Sequence, residues 1–356
     1  MKRLLVLTEG YPSSNNLYNM SYVHSRNIQY LKKGIAVDVL SFSAEQYYEF
    51  ENVKVNSVKQ SLDLSCYDAV LSHAPNIRNH YRFILLNFFK IKTLCFFFHG
   101  HEILFQRNYY PGPYDWQKKN NYLKERALHG YDILKIRLIK SLLNHSKVKV
   151  IFVSEWMREE GFKCLGFKDI NSISYEVINN PINESFSNAK YKYNSKNHKG
   201  DFITIRPLDG KKYAIDKVVE LAKNNPSLIF HIYGKGKFFN NVEQPKNIIV
   251  FDTFIEQKNI PNLLNRYRVA LMPTRLDAQG VMMCEMASYG IPIITSDLPV
   301  CREMLSKFSN CIFIKNSEFS RTDLTRLNFY PLDDHNVIGR FLPKITTEKE
   351  LSFIFE

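Results

Sequence analysis

An α/β architecture of two parallel-sheet halves is what this sequence predicts. Three observations carry the prediction. Short apolar, β-rich runs alternate with helical patterns along the chain, a rhythm that implies parallel strands joined by crossover helices. The alternation runs twice, on either side of a polar stretch at 185–200 rich in Asn, Lys, Ser and Tyr. The length, 356 residues, suits two domains at roughly 150 residues each.

In the first half the strand-like runs are 4–8, 36–42, 69–72, 93–98 and 148–154, with helical patterns over 21–33 and about 117–145. The second half repeats the scheme, with strands over 202–206, 228–233, 248–251, 269–273, 292–295 and 312–314. Its helices are expected over 215–223, 260–267, 281–289 and 300–307. The polar stretch between the halves reads as an exposed linker. The expected domains are 1–190 and 200–330, with a tail over 331–356 that packs back on the first.

Composition narrows the function classes. The hydrophobic fraction, 45%, supports sizeable cores. Six cysteines are scattered without a CxxC pair, which predicts reduced thiols of a cytoplasmic protein rather than a disulfide frame or a zinc site. No charged segment, apolar core and small-residue cleavage site follow one another at the start, so no signal peptide is expected. The longest apolar stretch, 83–98, is broken by Lys90 and Lys92 and falls short of the roughly 20 residues of a membrane span. Formal net charge is +13 and one-sided: residues 1–200 hold 28 Lys and Arg against 17 Asp and Glu, and 81–150 alone hold 13 against 4. Such a field fits an anionic membrane surface or nucleic acid.

The most informative stretch is Thr274-Arg275-Leu276-Asp277-Ala278-Gln279-Gly280-Val281-Met282-Met283-Cys284-Glu285, which leaves one strand-like run and opens a helix at Gly280. Two carboxylates, Asp277 and Glu285, stand eight residues apart, one in the loop and one in the helix. A helix N-terminus offers free N–H groups and a positive dipole end, which suit a diphosphate. Carboxylates accept hydrogen bonds from sugar hydroxyls. A nucleotide-sugar site follows from that pairing.

This stretch resembles the Glu-x7-Glu motif of retaining GT-B glycosyltransferases of the glycosyltransferase group 1 (GT4) family. Gly280, Glu285, Gly290 and Pro292 fall in register; Asp277 stands where the first Glu normally stands, and Gln279 replaces the usual aromatic residue. The segment 202–213 resembles the family's diphosphate clamp, with Arg206 matching its Arg and Lys212 its Lys, Lys211 close behind. Cations fixed there stabilise a departing diphosphate more than the ground state. Gly234-Lys235-Gly236 after a strand resembles the family's I-x-G-x-G loop, and His99, ending the run 96–98, matches the His that contacts the donor sugar. His99, His101 and Glu102 also have metal-ligating chemistry, but His99 and His101 are two apart and lack a third, helical ligand.

The resemblance implies the GT-B fold, two Rossmann-like domains facing each other across a cleft. It implies an acceptor-binding first domain and a second domain that binds a UDP- or GDP-linked sugar. Glu285 would hold the ribose hydroxyls. Asp277 and the backbone of Ala278, Gln279, Gly280 and Val281 would hold sugar and phosphates, with Gly234 and Gly236 bordering them. Arg206 and Lys212 would neutralise the leaving group in place of a metal ion, so no metal and no cofactor is expected. The expected reaction is transfer with retention to a glycan or polyprenyl-linked glycan, as in O-antigen, lipopolysaccharide or capsule assembly. A basic stretch at 109–149, carrying nine Lys or Arg from Lys118 on among tyrosines, points to a peripheral protein at the inner membrane face. The alternatives are a nucleotide-sugar 2-epimerase on the same scaffold, an inactive scaffold protein, and a nucleic-acid-binding module. No nucleic-acid partner is expected, since no helix-turn-helix, RNP or zinc pattern accompanies the basic stretch.

Overall fold

Buried parallel strands organise both halves of the chain. In the computed structural model, residues 1–16, 19–118, 121–167 and 173–356 are described. The chain divides into two units: one of Met1–Asn108, Tyr122–Pro181 and Pro343–Glu356, the other of Tyr109–Asn121 and Ile182–Leu342.

The first unit is built on eight strands: β1 (Arg3–Thr8), β2 (Ala36–Ser41), β3 (Tyr48–Phe50), β4 (Val53–Asn56), β5 (Ala69–His73), β6 (Leu94–Phe98), β7 (Val148–Phe152) and β8 (Ser174–Val177). Their order is β3-β4-β2-β1-β5-β6-β7-β8, parallel throughout except for the β3–β4 hairpin. Leu4, Leu5, Val6 and Leu7 are wholly buried, as expected of a parallel sheet covered on both faces. The hairpin was not anticipated from sequence. Its turn is made by Glu51 and Asn52, both at positive φ (45° and 65°), without the glycine that normally marks such a turn.

The C-terminal helix, Pro343–Phe355, belongs to this first unit. Its Glu350 is buried and accepts from Arg26 Nε at 2.8 Å and from the Tyr30 hydroxyl. Arg26 is also fully buried and reaches Asn180 Oδ1 at 3.1 Å. Both Glu350 oxygens and two of the three guanidinium nitrogens are paired, which offsets the cost of so deep a charge pair, while Arg26 Nη1 is buried without a partner.

The second unit has six parallel strands: β9 (Gly200–Ile205), β10 (Phe230–Tyr233), β11 (Ile248–Phe251), β12 (Tyr267–Met272), β13 (Ile293–Ser296) and β14 (Cys311–Ile314). Their order is β11-β10-β9-β12-β13-β14. The winding therefore reverses between β9 and β12, and ligands of such sheets bind outside the carboxyl ends of the strands at the reversal. Arg206 follows β9 directly, and Thr274 lies just past β12. The helix Val281–Tyr289 is bracketed by Gly280 and Gly290, both left-handed, and is buried from Met283 to Tyr289. It carries no polar face because it is packed on all sides.

Two boundaries differ from the sequence reading. The stretch 185–200 is docked on the second unit: Tyr191 N donates to Tyr289 O (2.9 Å), Asn194 N to Asn265 O (2.7 Å) and Lys199 N to Arg266 O (3.0 Å). Its polar composition serves backbone pairing, and the units part after Pro181 instead. Tyr109–Asn121 also folds with the second unit, although both flanks belong to the first. Tyr114 is the reason. It sits in the second unit's core, edge-on to Phe238 at 5.1 Å, and its hydroxyl donates to Asp216 at 3.1 Å.

Candidate functional site

The second unit gathers its chemistry on the carboxyl edge of the sheet where the winding reverses. Arg206 leaves β9 there and is 7% exposed. Its Nη2 donates to Met272 O, the last residue of β12, at 3.5 Å, and its Nε is buried without a partner. Burial pushes the guanidinium below its ordinary range, and the negative charge of Asp277 opposes that shift. A buried cation with an unused N–H is a site prepared for an anion.

Lys211 and Lys212 lie on a short turn, Lys211–Tyr213, held from the loop after β12. Arg275 N and Thr274 Oγ1 both donate to Lys212 O, at 2.8 and 3.1 Å, and Arg275 Nη1 donates to Lys211 O at 2.9 Å. Arg275 is itself fixed by an ion pair with Asp216. The two lysines diverge. Lys211 Nζ turns to Pro113 O and the Tyr114 ring, whereas Lys212 Nζ lies over the Tyr213 ring at 4.9 Å. The Arg206 guanidinium covers that same ring at 5.8 Å, so Lys212 is the lysine that shares Arg206's surroundings.

Asp277 has a local task the sequence did not reveal. Its Oδ1 accepts from Gly280 N at 2.8 Å and Gln279 N at 3.3 Å, so the carboxylate closes the turn that leads into the Val281–Tyr289 helix. Those two N–H groups, expected to meet phosphate or sugar, are engaged by the protein here. Gly280 makes the bend possible at φ 72°. Ala278 and Gln279 are buried and Val281 is half-buried.

Glu285 lies one turn into the helix, 1% exposed. Its Oε1 accepts from Asn183 N at 2.9 Å, while its Oε2 is buried with no hydrogen-bond partner. Burial pushes the carboxyl up to about 7, and the Asn183 N–H draws it back only in part. An orphaned buried acceptor costs stability unless a donor arrives, and ribose hydroxyls are such donors.

The glycines of the 234–236 loop serve chain packing. A Cβ on Gly234 would stand 1.8 Å from Arg206 O, and one on Gly236 would stand 2.8 Å from Leu208 Cβ. The close approach is thus to the Arg206–Leu208 backbone, which this loop pins through Leu208 N to Lys235 O at 3.0 Å.

His99 belongs to the first unit, just past β6. Its Nε2 lies 3.3 Å from His73 Nδ1, its backbone N–H donates to Glu102, and the Tyr22 ring meets its edge at 4.9 Å. Among the described residues no three His, Cys, Asp or Glu side chains converge as metal ligands. Sequence reasoning missed Asn183, Asp216 and His73. Only His73 left a signal, a histidine closing a strand-like run next to the one that ends at His99.

Comparisons with known proteins add a family match over part of the chain, and a fold. Residues 200–322 match the family described as Glycosyl transferases group 1. A curated relative, the O-antigen biosynthesis glycosyltransferase WclY of Escherichia coli, is 24% identical over 214 residues, covering 55% of this chain and 58% of that protein. The match therefore spans little more than half of the relative's length. Among solved structures, the sucrose-phosphate synthase of Thermosynechococcus elongatus covers 99% of this chain and 95% of its own at TM-score 0.66 and 9% identity. The UDP-forming α,α-trehalose-phosphate synthase of Burkholderia xenovorans, in complex with glucose-6-phosphate, covers 100% of both chains at TM-score 0.65 and 8% identity. An Escherichia coli trehalose-6-phosphate structure bound with UDP-2-fluoro glucose covers 100% of this chain and 99% of its own at TM-score 0.59 and 10% identity. At these identities the structures fix the fold alone, GT-B, with a parallel sheet in each unit.

Proposed function

We propose, from the premise that residues 200–322 form a glycosyl transferases group 1 domain, that the protein transfers a sugar from a UDP- or GDP-linked donor to a glycan acceptor. The observation that carries this is a pair of buried, unsatisfied polar atoms of opposite kind on one unit: Arg206 Nε and Glu285 Oε2. One awaits an anion and the other a hydroxyl, and a nucleoside diphosphate has both.

In this reading Glu285 Oε2 accepts from the ribose. Arg206 and Lys212 take the charge that develops on the diphosphate as the bond from sugar to phosphate oxygen breaks, with no metal or cofactor taking part. Asp277 keeps the donor loop and its helix in place and balances Arg206. Retention follows if the acceptor oxygen attacks the face that the diphosphate leaves. The acceptor's proton then passes to the departing phosphate oxygen. UDP is favoured as the nucleotide because two structures of the same fold are described with UDP chemistry. His99 is proposed to contact the donor sugar.

The acceptor is proposed to be a polyprenyl-linked glycan of O-antigen or capsule assembly, met at the inner membrane face. The named activity of the Escherichia coli relative supports it. So does the surface of the first unit. Leu86 and Phe89 stand 74% and 98% exposed beside Arg82, Lys90 and Lys92, and the helix Tyr122–Leu143 exposes Leu123 and Leu134 among Lys124, Arg126 and Arg137. Apolar anchors among cations suit anionic lipid. No helix among the described residues is long and apolar enough to cross a membrane.

The test is incubation with UDP- and GDP-sugars and a polyprenyl-linked acceptor, following free nucleotide and the anomeric configuration of the product by NMR. Free UDP or GDP should accumulate with a retained product. A 2-epimerase would change the sugar without accumulating nucleotide. Arg206→Ala should lower kcat by about 100-fold, the scale of losing one transition-state donor, and change donor KM much less.

A further inference from the structure

His73 ends β5, and His99 follows the neighbouring strand β6. Both imidazoles lie in the first unit; the sequence reading took up His99 and left His73 aside. His73 is wholly buried, its ring stacked on Phe97 at 4.2 Å, and its Nε2 has no partner. Its Nδ1 and His99 Nε2 are 3.3 Å apart, so one of these nitrogens donates and the other accepts.

The unpartnered nitrogen decides which. If His73 carried its proton on Nε2, a buried N–H would face no acceptor, and such orphans are rare. With the proton on Nδ1, His73 donates to His99 Nε2, and only a lone pair is left without a partner. At least one of the two rings must be neutral to accept. Burial first, and then the nearby Arg26 guanidinium, holds both imidazoles well below their ordinary range. A neutral His99 that accepts at Nε2 must carry its proton on Nδ1. That nitrogen makes no hydrogen bond among the described residues, and His99 as a whole is only half-buried.

We propose that His73 is a positioning residue that fixes the tautomer of His99, so that His99 offers an Nδ1–H donor to the hydroxyl or carbonyl-type oxygen of a bound sugar. Tyr22, whose ring meets the His99 edge, fixes the plane while His73 fixes the proton. The role for His99 rests on the glycosyl-transfer reading above; the tautomer does not.

The experiment uses the full chain labelled with 15N-histidine. Two-bond proton–nitrogen spectra distinguish Nδ1–H from Nε2–H rings, and His99→Gln identifies the His99 signals by their loss. Wild type should show His99 as the neutral Nδ1–H form. His73→Phe keeps the ring's shape and removes its donor, so the Nε2–H form should gain population. His73→Asn returns an N–H near the position of Nδ1 and should restore the Nδ1–H form. Turnover should follow the spectra. In His73→Phe, kcat should fall about 10- to 100-fold, the scale for losing a group that orients a functional histidine, with donor KM within about twofold, and His73→Asn should recover most of it. Should His73→Phe fail to fold, His73→Asn and wild type still read the tautomer. An Nε2–H ring in wild type, or a spectrum unchanged in the variants, overturns the proposal. Correct tautomers with no turnover by wild type on any donor would sink the transfer reading while leaving the His73–His99 geometry intact.

Discussion

Glu285 shows most sharply how one residue ties stability to function. Its carboxyl titrates near 4.5 when exposed and is pushed up to about 7 by burial. A raised folded-state value means that its contribution to stability is complete below pH 4.5 and is lost as pH rises through 7. Glu285→Gln removes that loss. In thermal melts without ligand the variant should match wild type at pH 4 and exceed it at pH 8, by up to roughly 3 kcal/mol for a shift of this size. Donor affinity should move the opposite way, falling about 10- to 100-fold as a charged acceptor is replaced by an amide. Equal melting at pH 8 would mean that the carboxylate is already satisfied without a donor. Both Glu285 and Asp277 were legible as candidate site residues, because two carboxylates about a glycine-opened helix form a short-range pattern. Asn183, which holds Glu285, was not, since the two meet only through folding across 102 positions.

At the scale of elements, glycines separate chain packing from chain freedom. Gly234 touches the carbonyl of the very residue that supplies the candidate cation. Gly234→Ala should therefore displace Arg206 and cost at least about 1–3 kcal/mol in urea unfolding, the usual range for overpacking. Gly130 offers the contrast. It lies mid-helix in Tyr122–Leu143, and a methyl group added there would meet nothing within 4 Å. Gly130→Ala should stabilise by roughly 0.5–1 kcal/mol. All eleven strand-like runs read from sequence are strands of the two sheets, because buried parallel strands are continuous apolar runs. The edge strand β8 and the hairpin of β3 and β4 escaped, being short and half exposed. The Tyr109–Asn121 strap escaped for a different reason. Tyr114 looks like any aromatic in a basic stretch until its partners Phe238 and Asp216, more than a hundred residues away, are in place.

Across the whole molecule, charge and apolar exposure coincide on the first unit. The sequence placed the lipid-facing surface on the basic stretch at 109–149; exposed apolar side chains occur there, as at Leu123 (74%), and also outside it, at Phe89 (98%) and Leu86 (74%). Lys135 of the long helix is buried instead, donating to Asp132, His101 O and Leu104 O. Pairing with Asp132 allows a lysine that reads as solvated to be interior. The full chain should sediment with vesicles containing anionic lipid at low salt and be released as salt is raised. Leu86→Ser with Phe89→Ser should weaken this retention at every salt concentration, whereas an electrostatic contact alone would leave it unchanged. The fold itself was legible because two rounds of strand and helix leave few alternatives to two wound sheets. Charge could not tell which faces remain uncovered. The account turns on a donor pocket in the second unit, and titration calorimetry of UDP- and GDP-sugars into the full chain tests that directly. Wild type should bind at least one donor with measurable heat, and Glu285→Ala should lose it while keeping its fold; equal binding by both, or none by wild type to any donor, would contradict it.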